Sequence, residues 1–407
     1  MTVRVPKVLM VVCGNSGTTY WRQFAWNEAA DRTGKMLSHI LGWEKDQNEM
    51  APWQYQIRET EHQPRLFSQL FGAALSADVI IFARLETEWA LTTMYALRDQ
   101  FPNKPILSEF DDDVFDIAAY NPASEHIKPG SPTVKISIAQ IENSDGLIVS
   151  TPYLAEVYGE YCKNVYIVPN SIDVRKWDTA SRKRKPGIRI GWIGGASHAE
   201  DLRLLTGVIP RISAISPEVR FVFASSMVPG FIHELPQVEC VEKWSTILKY
   251  PSHLAGLDFD IGMAPLRDNK FNRAKSNLRW LEYGALGIPC VASNVGHFAQ
   301  TVHSGVDGWL AATPEEFGNH LELLVRNSKF RKGMGKAVHA RIERDFNIDR
   351  NVQIYADAVN DVLTRPAMKA PSLMTGVDDV KALDVELLDS PGVEFGPLQK
   401  IEEGMPQ

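Results

Sequence analysis

Two α/β domains, each a doubly wound parallel sheet, are what this sequence predicts, and three observations carry the prediction. Apolar runs of strand length alternate with amphipathic segments of helix length over most of the chain, the pattern of βαβ units. The alternation restarts after a basic, Pro/Gly-marked stretch, SRKRKPG, at residues 181–187. The 407 residues exceed one ordinary core and fit two domains of roughly 100–200 residues each. With 44% hydrophobic and 23% charged residues, the composition is that of a soluble globular chain and excludes bulk disorder and collagen-like repeats. Cys13, Cys162, Cys240 and Cys290 are scattered without CxxC spacing, so neither a disulfide framework nor a zinc site is indicated.

The elements come in order. Residues 7–13 form a β-rich run ending in a Gly/Ser/Thr loop, and residues 20–33 read as a helix. Short buried strands are expected at 78–83, 105–110, 146–150 and 165–168. After the basic joint come strands at 188–193, 220–224, 259–263 and 289–293, with helices at 200–215, 276–286 and 314–326. This divides the chain into domains 1–180 and 187–345, a helical segment 346–364 whose strong pattern covers 351–363, and an acidic tail 365–407. No internal repeat is visible. No run approaches the roughly 18–20 apolar residues that cross a bilayer, and the apolar N-terminal stretch reads as a first strand, not a signal peptide. A cytoplasmic protein is expected.

Charge is unevenly spread. Residues 1–180 hold 16 Lys+Arg against 23 Asp+Glu, residues 181–365 hold 24 against 19, and residues 366–407 hold 3 against 8. An anionic small ligand is therefore expected on the second half. The acidic first half is a poor match for a phosphate backbone, which disfavours non-specific nucleic-acid binding. In doubly wound domains ligands bind at the carboxyl ends of the strands, so a cleft between the domains is the expected site.

The most informative segment is DIGMAPLRDNKFNRAKSNLRWLEYGALGIPCVAS, residues 260–293. A strand ends near Pro265, and the loop behind it carries Arg267, Lys270, Arg273 and Lys275. The helix predicted to start near Ser276 runs through Leu278, Leu281, Glu282 and Leu286, and Gly287 and Pro289 end it. Cations just before a helix N-terminus make an anion site, because free N–H groups and the positive end of the helix dipole converge there. Glu282, about 1.5 turns along, is in reach of a sugar hydroxyl of the same ligand. The spacing suits equally a solvated basic loop with Glu282 in a surface pair.

This segment resembles the C-terminal half of retaining glycosyltransferases of family 4 (glycosyl transferases group 1) with the GT-B fold. The residues that carry the resemblance are Glu282-Tyr283-Gly284-Ala285-Leu286-Gly287-Ile288-Pro289, which match the second Glu of a Glu-x7-Glu signature together with the small-residue helix and Gly-x-Pro behind it. IVPNSID (167–173), GWIGGASHAEDL (191–202) and the Gly-Val-Asp-Gly turn at 305–308 fit too, as do GNSGTTYWR (14–22), EFDDDVFDI (109–117) and STPYLAEVY (150–158). The resemblance spans roughly residues 7–364. It implies two Rossmann-like domains facing a central cleft, an acceptor-side domain at 1–180, a nucleotide-sugar donor domain at 187–345, and a C-terminal helix packing back toward the first domain. It further implies transfer of a sugar from a nucleotide-diphosphate sugar to an acceptor hydroxyl with retention of configuration. No tightly bound cofactor and no essential divalent metal are implied.

By the same resemblance Glu282 binds the donor ribose, and the N–H groups of Asn277 and Leu278, beside Ser276, face the diphosphate. Gly194 and Gly195 let backbone approach the phosphate, and Gly14 and Gly17 line the acceptor-side loop. Two departures stand out. Ala274 takes the place of the first Glu, and Gly195 stands where relatives carry an Arg, with no Lys following. Arg273 and Lys275 are then expected to supply the missing positive charge.

Other candidates have two readings each. Gly14–Gly17 also suits a plain βα turn, and it fits neither GxxxxGK[ST] nor GxGxxG. Asp111-Asp112-Asp113 resembles a metal-holding Asp-x-Asp, but it follows a strand of the acidic half, away from the expected phosphate site. Asp111 or Asp112 therefore either orients the acceptor hydroxyl or caps a helix beginning near Val114. His198 is a phosphate hydrogen-bond donor or an exposed loop histidine. Trp21, Trp26, Trp192 and Trp280 read as core rather than as sugar platforms. A non-catalytic sugar-nucleotide binder and a nucleotide-sugar epimerase stay open as alternatives. The acceptor, whether glycan, lipid carrier, protein or hydroxylated nucleic-acid base, is not named by the sequence.

Overall fold

The computed structural model describes residues 5–13, 17–44, 56–58, 63–85, 87–178, 184–226, 228–242 and 245–369. Its strands are β1 (Lys7–Cys13), β2 (Leu37–Glu44), β3 (Gln56–Arg58), β4 (Val79–Ala83), β5 (Ile106–Phe110), β6 (Gly146–Val149), β7 (Val165–Ile167), β8 (Ile188–Ile193), β9 (Val219–Ala224), β10 (Val238–Val241), β11 (Ile261–Ala264), β12 (Cys290–Ser293) and β13 (Trp309–Ala311). They form a seven-stranded sheet in the order β3-β2-β1-β4-β5-β6-β7 and a six-stranded sheet in the order β10-β9-β8-β11-β12-β13. Pairings such as β1 with β2 and β4, and β8 with β9 and β11, are parallel. The second sheet thus repeats the strand order of the first. Each order reverses direction beside its first strand, which marks β1/β4 and β8/β11 as the switch points where loops diverge and a crevice opens.

The chain separates into two compact units. One gathers the described residues up to Glu109, Ala139–Leu147 and those from Val352 on; the other holds Phe110–Ile138 and Ile148–Asn351. In the first unit β1 is buried along Val8–Val12, as a central parallel strand must be. A π-helical turn, Tyr20–Phe24, opens the helix continued by Ala25–Thr33. The turn's Arg22 and Gln23 both reach Glu109, at 2.9 and 2.6 Å. Tyr355, from the helix Ile348–Leu363, packs on Trp26 in the same unit. In the second unit Ile190, Trp192, Phe221, Phe223, Ile261 and Met263 form the sheet's share of the core.

Four strands were not expected, and each has a reason. β2 carries buried Ser38 and His39, which interrupt its apolar run. β3, β10 and β13 are short sheet edges. The helix expected at 200–215 is replaced by a 3₁₀ turn, Asp201–Leu205, and a short helix, Val208–Ser213. Gly207 and Pro210 break the continuity there. The long helix Ser328–Asp345 was also missed, its glycines at 333 and 335 masking the pattern. Trp21, Trp26, Trp192 and Trp280 are all buried. Among the described residues no helix is long and apolar enough to cross a membrane. Residues 370–407, most of the acidic tail, lie outside the described residues, as does Gly14; Gly17 begins the short helix Gly17–Thr19.

Candidate functional site

The loops after β8 and β11 meet at the second unit's switch point. The helix there starts at Leu278, not Ser276, and the Ser276 hydroxyl accepts from Asn170 Nδ2 at 2.8 Å. Asn170 belongs to the IVPNSID stretch, so two of the sequence motifs touch. Asn277 is the N-cap residue, yet its side chain makes no capping bond, and both its Oδ1 and its Nδ2 are buried without a protein partner. A fully buried amide with nothing to bond is costly unless something else fills that role. Its place at a helix N-terminus, where free N–H groups also point, suits an anion or a polar ligand.

Glu282 is buried, 2% exposed, and is not in a surface pair. Its Oε2 accepts from the Tyr250 hydroxyl at 3.0 Å and from Arg279 Nη1 at 2.5 Å. Burial raises its pKa, and the Arg279 charge and both hydrogen bonds work against that rise. Burial likewise raises the Tyr250 hydroxyl. Oε1 takes no hydrogen bond from the described residues. One oxygen is thus fixed by the protein and the other is left over.

The cations are already engaged. Lys275 Nζ lies 2.6 Å from Asp112 Oδ1 and over the Phe271 ring at 4.2 Å. Arg273 forks onto Asp268 at 2.6 and 3.0 Å on the surface. The turn that carries Arg273 is packed against Gly296, whose φ is +54° and where a Cβ would meet the Arg273 carbonyl oxygen at 2.6 Å. The contact between Lys275 and Asp112 corrects the expectation that the acidic triplet lies away from this loop. Chain order placed the triplet with the first half, but the fold packs 110–138 in the second unit.

No helix begins near Val114. Asp113, not Asp111 or Asp112, holds the local turn, accepting from the Phe115 N–H at 2.9 Å. The Asp111 carbonyl accepts from Ser150 Oγ at 3.5 Å, and the Asp112 carbonyl from the Tyr158 hydroxyl at 2.6 Å. Among the described residues no cluster of three or more His, Cys, Asp or Glu is arranged to hold a metal.

On the β8 side, Gly194 is forced by packing, since a Cβ would stand 2.4 Å from the Trp192 ring. Gly195 is not; the nearest atom to a Cβ there is Ser197 Oγ at 4.0 Å. Its open, exposed backbone suits close approach by a ligand. His198 Nδ1 lies 2.9 Å from Asp201 Oδ2. Sequence reasoning missed Tyr250, Arg279, Asp201 and Asn272. The last two are wholly buried polar residues, visible only once the loops are folded together.

The comparisons agree with this architecture. Residues 187–327 match the family Glycosyl transferases group 1. A sequence comparison with curated proteins finds no match. Among solved structures the chain is similar to Anabaena HepE in complex with UDP-glucose, at 13% identity and a TM-score of 0.62, over 88% of this chain and 100% of that one. It is also similar to sucrose-phosphate synthase of Thermosynechococcus elongatus, at 17% identity and 0.61, over 89% and 100%. A glycosyltransferase of Rickettsia africae matches at 11% and 0.60, over 89% and 100%. At such identities the likeness is one of fold. The chain has the GT-B fold, and residues 187–327, the part that builds the second sheet, match the model of glycosyl transferases group 1.

Proposed function

We propose that this protein is a glycosyltransferase that moves a sugar from a nucleotide-diphosphate sugar to an acceptor hydroxyl with retention of configuration. The observation that carries the proposal is the start of the helix Leu278–Ala285, where Lys275, the partnerless amide of Asn277 and the open Oε1 of Glu282 share one short stretch. In this reading 187–345 is the donor side and 1–180 the acceptor side. Glu282 Oε1 accepts from the ribose hydroxyls. The N–H groups at Asn277 and Leu278 receive the diphosphate, with Ser276 beside them and the Gly194–Gly195 backbone opposite.

Lys275 exchanges the Asp112 carboxylate for a phosphate oxygen as the donor binds. Arg273, tied to Asp268, contributes to the field at the rim. Asp112, or Asp111 next to it, then orients the acceptor hydroxyl. The acceptor oxygen bonds to the anomeric carbon on the face from which the diphosphate departs, and its proton passes to the departing phosphate oxygen. Stabilisation of the leaving diphosphate by preset N–H groups and a cation supplies most of the acceleration. Gly14 and Gly17 are assigned to the acceptor-side loop.

The test is a thermal-shift panel of UDP, GDP, ADP and their sugars on the wild type, Glu282→Ala and Lys275→Ala, with and without magnesium. UDP comes first because HepE has been solved with UDP and with UDP-glucose. At 100 times its dissociation constant a ligand stabilises by about 2.7 kcal/mol. One nucleotide should shift the wild type and shift both variants much less, and sugar transfer to a supplied acceptor should fall with them. Nucleotide binding without transfer to a glycan, lipid-carrier, protein or nucleic-acid acceptor would favour a non-catalytic binder. No shift from any nucleotide overturns the donor site.

A further inference from the structure

Asp201 is wholly buried and binds both loops of the switch point. Its Oδ1 accepts from the Arg267 N–H at 2.9 Å and from Asn272 Nδ2 at 2.7 Å, while Oδ2 faces His198 Nδ1 at 2.9 Å. Asn272 Nδ2 also donates to the Arg267 carbonyl at 2.9 Å and to the Tyr120 hydroxyl at 3.3 Å. A carboxylate at this position can only accept, so His198 Nδ1 carries a proton. The other ring nitrogen, Nε2, makes no hydrogen bond with any described residue, and the side chain is 23% exposed. The imidazole is therefore held at one nitrogen and presents the other, on the loop that carries Gly194 and Gly195.

We infer that Asp201 is a positioning residue that orients His198 so that its doubly protonated ring donates from Nε2 to the donor diphosphate, a role that rests on the donor reading above. The charged and titratable groups about the pair are Glu200 and Arg203 on the same loop, Arg267 from the loop after β11, and Tyr120. Glu200 is shared between Arg203 at 2.8 Å and Arg267 at 3.4 Å, which leaves Asp201 as the carboxylate bonded to the ring. In a ring with a single proton Asp201 holds that proton on Nδ1, which leaves Nε2 an acceptor facing a phosphate oxygen, so only the doubly protonated ring donates there. The two carboxylate oxygens have separate duties, and that makes a clean variant available. In Asp201→Asn the oxygen can stay toward Arg267 and Asn272 while the amide turns its N–H toward Nδ1. Nδ1 then accepts, and Nε2 keeps a proton even in the neutral ring.

The experiment is calorimetric titration with UDP, with GDP and ADP run beside it, from about pH 6 to about pH 8.5 on the wild type, Asp201→Asn and His198→Ala. His198→Ala serves as the blank for the ionisation of the nucleotide itself. Relative to that blank, wild-type affinity should be about tenfold or more higher at the acid end and lose that advantage at the alkaline end. Asp201→Asn should show a smaller advantage that does not decay with pH. Ring ¹⁵N NMR should find the neutral His198 proton on Nδ1 in the wild type and on Nε2 in Asp201→Asn, a readout independent of nucleotide. An unchanged pH dependence in Asp201→Asn, or wild-type affinity in His198→Ala, overturns the inference and leaves the donor site standing. Failure of the wild type to bind any of the three overturns the donor site and this role together.

Discussion

Glu109 and Glu282 invite comparison, because each is a buried carboxylate set between an arginine and a tyrosine, one in each unit. Around Glu109 both carboxylate oxygens are engaged. Oε1 takes Arg22, and Oε2 takes Gln23 at 2.6 Å and, more distantly, the Tyr355 hydroxyl at 3.5 Å. Around Glu282 the arginine and the tyrosine both crowd onto Oε2, and Oε1 is spare. Burial raises both carboxyls, and in both an arginine opposes it. The same residue triplet thus closes a fold in one place and leaves a hydrogen-bonding position open in the other. What separates structure from function here is the leftover lone pair, not the perturbed carboxyl.

The strongest way to break the comparison is to remove each arginine. Arg22→Met leaves Glu109 sealed and without its ion pair, which should cost about 3–5 kcal/mol of unfolding free energy or abolish soluble expression. Arg279→Met should cost less, because Arg279 is 23% exposed whereas Arg22 is 1% exposed. Its larger effect should be on nucleotide affinity, through a misdirected Glu282. Urea titrations with and without UDP measure both. Equal destabilisation with unchanged nucleotide affinity would make Glu282 a second Glu109.

A smaller effect separates two neighbouring glycines of the β8 loop. Gly194→Ala drives a methyl into the buried Trp192 ring and should cost about 1–3 kcal/mol with little change in affinity for the nucleotide once folded. Gly195→Ala meets nothing inside the protein, so its melting temperature should stay put while nucleotide affinity drops. The reversed result would move the ligand away from this loop.

Most of the architecture was legible from residue patterns. Central strands such as β1 and β8 are mostly apolar, Lys7 and Arg189 apart, with breakers at both ends, and their predicted bounds coincide with the observed ones. Edges were not legible: β13 is three residues long, and β10 is half-buried throughout, so neither leaves a burial signature. Within the site, Glu282, Lys275 and Asn277 stood out because their loop-to-helix context is local. Tyr250, Asp201 and Asp112 reach it across 32, 66 and 163 positions from their partners Glu282, Arg267 and Lys275, a distance no spacing rule spans. Pairing within the loop was also hidden. A run of cations looks free until Asp268 and Asp112 are seen to neutralise Arg273 and Lys275.

The smallest expected effect concerns a carboxylate with no arginine inside. Asp31, half-buried on the helix Ala25–Thr33, is raised from its ordinary value of 3.8 to about 6, by burial first. The Ser38 N–H opposes the rise, nearby Glu28 adds to it, and Arg32 offsets little, since its guanidinium donates to the Glu28 carbonyl at the surface. A carboxyl whose folded pKa lies above its unfolded one holds its proton more tightly in the folded state. Its contribution is therefore fully present below about pH 4 and is lost as pH climbs through about 6. Asp31→Asn keeps an oxygen for the Ser38 N–H and has no charge to desolvate. It should match the wild type at pH 4 and exceed it by about 1 kcal/mol at pH 7, after allowance for solvent screening of a half-exposed group. Unfolding midpoints at the two pH values decide it. An equal difference at both would mean that Asp31 is ionised as easily in the folded chain as in the unfolded one.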